Sequence, residues 1–295
     1  MDLAAPFEHL TEQNAAALLA SVYGIDAASL DRLDTERDDS FRVATANAEY
    51  VLKVAHPTDD PLHVNLQTAA MAFAAEQSGL PVQRILLSVE GEVEPTVDGR
   101  VARLLTWLPG EPGGTVNPHE LGQTLARLTD ALSTFDHPAA HRDFVWDAAR
   151  LDLARPLLDE FPSDDVARVF ELYDALDLGA LPRQVIHNDF HPGNVLTTGG
   201  VVTGILDFGD VVHTARIVDL AVALCYYGFS DELIAGFESS VRLTDAERDA
   251  LPTLVAARFA LRILVNQRLN RSFDLRHNID VQAAGLRSLL EREFS

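Results

Sequence analysis

Eight consecutive residues, His187-Asn188-Asp189-Phe190-His191-Pro192-Gly193-Asn194, place a carboxylate, two amides and two imidazoles in one short segment. Thirteen residues beyond Asn194 comes Asp207, in Leu206-Asp207-Phe208-Gly209-Asp210. The layout His-x-Asp-x-x-x-x-Asn followed by Asp-Phe-Gly suits phosphoryl transfer, which needs positioning and electrostatics more than covalent help. Asp189 is placed to accept the proton of an attacking hydroxyl. The Asn194 amide oxygen and the Asp207 carboxylate are hard oxygen donors that suit Mg²⁺. Lys53 adds a cation for nucleotide phosphates. It is the one lysine among 23 basic residues, the rest being Arg. A compact ammonium kept in such a chain matters, because Lys and Arg do not exchange freely at a tight phosphate site. His187-x-Asp189-x-His191 by itself also fits a transition-metal loop and a metal-dependent hydrolase. That reading leaves Lys53, Asn194 and Asp207 without a role.

The elements that must hold these residues can be read from pattern. Thr11 caps a helix over 14–23, closed by Gly24. Residues 30–33, 41–46 and 48–55 read as strands, with Lys53 in the third. Pro61 opens a helix to Gln77, and 84–89 and 101–107 read as further strands. Leu108–Gly114, rich in Pro and Gly, reads as a linker. Beyond it, helical spacing covers 118–134, 147–160, 164–176, 218–227, 231–240, 245–270 and 280–293, with short strands at 184–186, 195–197 and 202–206. The expected architecture is α+β and two-lobed, protein-kinase-like. A strand-rich, nucleotide-binding N-lobe spans 1–107, and a helical C-lobe carrying the catalytic loop and acceptor site spans 108–295.

At this level the chain resembles the aminoglycoside phosphotransferase and choline kinase superfamily of small-molecule kinases over nearly its whole length. The finer likeness is to the hydroxylysine kinase branch. It is carried by Glu36–Val43, by Arg103–Gly110, by His137-Pro138 with Arg142–Trp146, by Gly204–Asp210 and by Val218–Ala221. The resemblance implies ATP, Mg²⁺ and a small-molecule hydroxyl acceptor that usually carries an amine. It also implies that Ser40 contacts phosphate, since no Gly-rich loop precedes Lys53. Backbone groups of Thr106, Trp107 and Leu108 are expected at the adenine. The helix after Lys53 offers no acid where a lysine partner is expected. Gln67 is the nearest polar candidate there, able to hydrogen-bond Lys53 without neutralising it. Asn188 stands where such kinases commonly have Gly, and Asp219 is expected to brace the catalytic loop.

The acceptor side is read more openly. Asp210 fits a second metal, an acceptor ammonium or a solvated loop. His191 has no fixed role. Trp146 reads either as a stacking platform or as core. Arg258, Arg262, Asn266 and Arg268 share helical spacing and fit either an acceptor carboxylate or, by preference, ordinary ion pairs. Hydroxylysine or a similar amino alcohol leads among acceptors, with choline, ethanolamine, homoserine, a sugar or an aminoglycoside as alternatives. A nucleotide-binding module without turnover is the non-enzymatic alternative.

Composition narrows the partners. The net charge of −22 repels nucleic-acid phosphates and anionic lipids. Such acidity fits either salt adaptation or an ordinary acidic protein from a high-GC genome. The longest apolar runs are too short for a bilayer. Residues 1–10 carry Asp2 and Glu8 and no basic n-region, so no signal peptide is expected. A single cysteine, Cys225, rules out an internal disulfide. The cytoplasm is the expected compartment.

Overall fold

The computed structural model describes residues 7–35, 37–270 and 275–294. The chain divides into two compact units, residues 1–109 and 110–295.

In the first unit, helix α1 (Glu12–Leu18) starts at Thr11, whose hydroxyl accepts from the Asn14 N–H. It continues through one π-helical turn, Leu19–Tyr23, and stops at left-handed Gly24. The sheet contains β1 (Ser29–Arg32), β2 (Asp39–Ala44), β3 (Glu49–Val54), β4 (Ile85–Leu86), β5 (Thr96–Val97) and β6 (Arg100–Thr106). Its order is β1-β2-β3-β6-β4, all antiparallel, with β5 also paired to β6. Strand alternation sends successive side chains to opposite faces. Phe41, Val43, Leu52, Val54, Ala102 and Leu104 form one core with Ala15, Leu18 and Leu19 of the opening helix. The other side of the pleat carries Ser40, Arg42, Val51, Lys53, Arg103 and Leu105. Cross-strand register puts Ser40 opposite Lys53 and Lys53 opposite Arg103. Helix α2 (Pro61–Ser78) begins with Asp60 as N-cap and ends at left-handed Gly79.

Asp39 is a structural hub at the head of β2. Its fully buried carboxylate meets Arg32, Arg100 and His9 and accepts the Leu10 N–H. Burial pushes its pKa up, but these partners outweigh burial and hold it down at about 2.

The second unit begins with a difference from the sequence reading. Glu111–Pro112, inside the expected linker, is strand β7, paired with β9. Helix α3 (Pro118–Ala131) follows. The helix expected over 147–160 is a 3₁₀ segment, Ala148–Ala154, broken at Arg150 (φ −126°, ψ 37°), before α4 (Arg155–Glu160). Pro156 lies in the first turn of α4, where its missing backbone donor is tolerated. Next come α5 (Asp164–Asp174), β8 (Arg183–Ile186), β9 (Val195–Thr198), β10 (Val201–Ile205) and β11 (Val212–Ala215). Four helices complete the unit: α6 (Ile217–Tyr227), α7 (Asp231–Glu238), α8 (Asp245–Leu269) and α9 (Arg276–Glu293). Helix α6 is buried from Ile217 through Cys225 and forms the centre of this core. Where α3 crosses α7 the backbones nearly touch. A Cβ on Gly122 would sit 2.1 Å from the Leu233 carbonyl, and one on Gly236 would sit 2.0 Å from that of His119. Arg216 forks onto buried Glu247, which also closes a capping box with Thr244 at the start of α8.

Candidate active site

Two strand pairings frame the site in the second unit. Strand β8 pairs with β11 (Ile186 opposite Val212), and β9 pairs with β10 (Val195 opposite Ile205). Segments 187–194 and 206–211 therefore run side by side, pinned at both ends. The Leu206 N–H donates to the Asn194 carbonyl (2.8 Å), and His187 Nε2 donates to the Leu206 carbonyl (3.1 Å). Strand β11 was not legible in the sequence, although it brings Asp210 to the loop.

Buried Asp219, on α6, accepts the backbone N–H groups of Asn188 (2.7 Å) and His187 (3.4 Å), so it braces the loop. Asn188 takes the left-handed backbone (φ 64°), which Asn tolerates better than most residues, and so does Asp207 (φ 58°). Such conformations cost energy and persist where the surroundings enforce them, often at functional sites. Both nitrogens of His187 are engaged: Nδ1 accepts the Asp189 N–H (3.2 Å) and Nε2 meets Leu206. His187 thus orients the loop and is unavailable to a His-x-Asp-x-His metal centre. Among the described residues no group of three or more His, Cys, Asp and Glu side chains could hold a metal ion.

The Asp189 carboxylate is held from three directions. The Asn194 amide nitrogen donates to Oδ2 (2.7 Å), the Arg258 guanidinium donates to Oδ1 (3.1 Å), and His191 Nε2 lies 3.4 Å from Oδ2. Burial raises its pKa, but the His191 hydrogen bond and the Arg258 charge prevail and hold it below the ordinary carboxylate value. Asp210 is the opposite case. Burial, with the Asp189 charge next, pushes it well up. The Asp189 charge thus makes ionising Asp210 costlier. Because the Asn194 nitrogen is committed to Asp189, its amide oxygen is the atom left to meet a cation. Asp207 Oδ1 accepts the Gly209 N–H (2.9 Å), and a Cβ on Gly209 would sit 2.9 Å from that same oxygen. Glycine keeps this turn open. Asp207 itself is exposed.

Arg258 does make an ion pair, but a buried one, with Asp189, rather than an ordinary one at the acidic surface. It is 1% exposed, donates to the Trp146 carbonyl and to Asp189, and lies over the Trp146 ring. Arg262 sits 3.8 Å over the Tyr226 ring and donates to Cys225 Sγ (3.5 Å), with no ion pair to a carboxylate among the described residues. His191 stacks on the same Tyr226 ring (4.7 Å). Trp146 is half-buried beneath Arg258. Arg268 does make the expected ion pair, with Glu160, and Asn266 bonds Gln282. Arg142, quoted in the sequence only as part of a likeness, donates to the carbonyls of Gly209 and Val211 and so straddles Asp210.

In the first unit, Lys53 Nζ lies 3.6 Å from Asp38 Oδ2. The partner that α2 fails to supply thus comes from the turn before β2. Gln67 does not bond Lys53: its Oε1 accepts from Arg103 Nη1 (3.1 Å). The reason is register, since Arg103 neighbours Lys53 across β6 and its guanidinium reaches both α2 and Asp38 (3.5 Å). Ser40 Oγ is buried and has no protein partner. Glu36, part of the quoted likeness, lies outside the described residues. At the end of β6 the Thr106 N–H and carbonyl bond Arg84 and Gln83, and the Trp107 N–H bonds the Glu49 carbonyl. The adenine contacts expected of 106–108 therefore narrow to the Trp107 carbonyl and Leu108. The Trp107 ring carries Arg42 at 4.4 Å, and Glu49 holds Arg42 in place.

A catalytic-type loop braced by a buried acid, next to a strained Asp-Phe-Gly turn, defines a phosphotransferase. Residues 32–251 match the phosphotransferase enzyme family, and the chain belongs to it. It is 28% identical to hydroxylysine kinase of Mus musculus, over 85% of this chain and 80% of that protein. It is 30% identical to homoserine kinase of Phenylobacterium zucineum, over 87% of this chain and 86% of that one. Among solved structures, a microcompartment-associated aminopropanol kinase superposes with a TM-score of 0.77 at 20% identity, covering 96% of this chain and 97% of that chain. Amicoumacin kinase in complex with AMP-PNP, Ca²⁺ and Ami superposes with a TM-score of 0.72 at 17% identity, covering 96% of this chain and 94% of that chain. The fold is the α+β protein-kinase-like one, and the chain is a small-molecule kinase that transfers phosphate to a hydroxyl. No helix among the described residues is long and apolar enough to cross a membrane.

Proposed function

We propose that this enzyme uses ATP and Mg²⁺ to phosphorylate the hydroxyl of an amino acid or amino alcohol, with hydroxylysine the leading acceptor. The observation that carries this reading is the treatment of Asp189. Its carboxylate is fixed by Asn194, Arg258 and His191 and kept ionised, as a group that orients a hydroxyl and takes its proton must be. Asp210 beside it supplies a carboxylate for an ammonium group, whose arrival favours the charged form of Asp210. The relatives that act on hydroxylysine and homoserine support an acceptor bearing an amine.

On the nucleotide side, the residues present fit a triphosphate. Buried Ser40 Oγ has no protein partner, and Lys53 faces the same side of the sheet. The Trp107 carbonyl and Leu108 are the proposed adenine contacts. Asn194 Oδ1 and the Asp207 carboxylate fit Mg²⁺ as hard oxygen donors. When bound, Mg²⁺ would neutralise charge on the phosphate oxygens. Asp189 holds the acceptor hydroxyl in line, and Lys53 steadies the phosphates. The proposed compartment is the cytoplasm, in keeping with a lone buried thiol.

The test is ADP release across hydroxylysine, homoserine, aminopropanol, ethanolamine, choline, a hexose and an aminoglycoside. The reading expects turnover with amine-bearing acceptors and loss of it in Asp189→Asn with ATP binding kept. Normal turnover in that variant would falsify the role of Asp189. Preference for the hexose would overturn the acceptor class.

A further inference from the structure

Kinase-like sites commonly hold their phosphate-binding lysine with a carboxylate from the neighbouring helix. Here α2 offers no carboxylate to Lys53, and the structure shows a different arrangement in its place. Asp38 Oδ2 lies 3.6 Å from Lys53 Nζ and 3.5 Å from Arg103 Nη2. Arg103 Nη1 donates to Gln67 Oε1 of α2 at 3.1 Å. The Arg103 side chain is only 4% exposed, so it is walled in rather than offered to a ligand, while Lys53 keeps 21% exposure.

We infer that Asp38 is the positioning residue of Lys53, acting from the sheet edge in place of a helix acid, with Arg103 tying Asp38 to α2 through Gln67. Three points support it. Cross-strand register makes Ser40, Lys53 and Arg103 neighbours on one face, so one carboxylate at the mouth of β2 meets both cations. A buried guanidinium without a counter-charge would be costly, which gives Arg103 a stake in where Asp38 sits. A lysine and an arginine sharing one carboxylate leave a net positive charge beside the orphaned Ser40 hydroxyl. A one-to-one lysine–acid pair would leave none. The arrangement both aims the ammonium and keeps charge for an anionic polyphosphate.

The inference rests on the reading that Lys53 meets nucleotide phosphate, and the experiment separates the two. Steady-state kinetics with ATP varied would be run on K53A, D38A, D38N, D38E and the double variant D38N/K53A, with thermal melts alongside. D38N keeps the side chain's shape and serves if D38A does not fold. The expected result is a rise of about ten-fold in KM for ATP with a fall of similar size in kcat for D38N. D38E should recover much of both, and D38N/K53A should be no worse than K53A, since coupled residues are not additive. Impaired K53A with wild-type kinetics in D38N overturns the inference alone, as do losses that multiply in the double variant. Wild-type kinetics in K53A overturn the Lys53 reading and this inference with it.

Discussion

The two charged clusters of this kinase are mirror images in composition. In the first unit two cations, Lys53 and Arg103, gather on one carboxylate, Asp38. In the second, the carboxylates Asp189 and Asp210 gather around one buried guanidinium, Arg258. The first is left with surplus positive charge, and the second gains surplus negative charge when an arriving cation ionises Asp210. The surplus matches what each is proposed to receive: polyphosphate in the first, ammonium and metal in the second. A third cluster, at Asp39, has the same two-to-one count of fixed cations to carboxylate, but its role is structural. There a fully buried carboxylate is saturated by two arginines, a histidine and a backbone N–H.

This comparison predicts that variants in the first two clusters lose activity and those at Asp39 lose stability. The largest effect on activity is expected for Asp189→Asn: a fall in kcat of about 10³-fold, with some loss of stability because buried Arg258 loses its counter-charge. Single-turnover phosphate transfer measures it. Asp207→Asn should follow, with a loss of about 10²-fold or more that rising Mg²⁺ partly relieves, read from a metal titration of the rate. Arg258→Met tests whether the second cluster also carries stability. Removing one partner of a buried pair costs about 3–5 kcal/mol, so denaturant melts should show a large drop as well as lost turnover. Asp39→Ala should cost stability on the same scale, with the kinetics of the surviving folded fraction little changed. In the intact enzyme, Asp39 has a folded-state pKa lowered to about 2 from 3.8. Its contribution is therefore fully present above the unfolded value and lost as pH falls through about 4 to about 2. Acid melts of wild type and Asp39→Ala should converge across that window. The smallest effect tested is packing: Gly236→Ala, where a Cβ would meet the His119 carbonyl, should cost about 1–3 kcal/mol without touching either cluster.

Much of this was legible because it is local. The loop 187–194, the Asp-Phe-Gly turn, the strand bearing Lys53 and most helix starts are written in contiguous residues with capping or turn chemistry. What was not legible lies in contacts across the chain. Asp38 was quoted only within the likeness Glu36–Val43, yet register alone would have set Arg103 beside Lys53, and the carboxylate then follows as their shared counter-charge. Arg258 had helical spacing with Arg262 and Arg268, and spacing cannot say which of the three points inward. Burial decided it: Arg258 meets Asp189, while Arg268 meets Glu160 at the surface. Strand β11 is short and carries His213 and Thr214 among apolar residues, so no period marked it. Glu111–Pro112 reads as linker by composition, and only its pairing with Thr197 and Leu196 makes it a strand.

The solitary lysine has a practical consequence. Any reagent that acylates ε-amino groups meets one side chain in the whole protein. Amine labelling, followed by mass spectrometry, thus reads the accessibility of Lys53 without mutagenesis or a fluorescent tag. Protection by ATP, and its dependence on Asp38, become measurable on the unmodified sequence as a single rate.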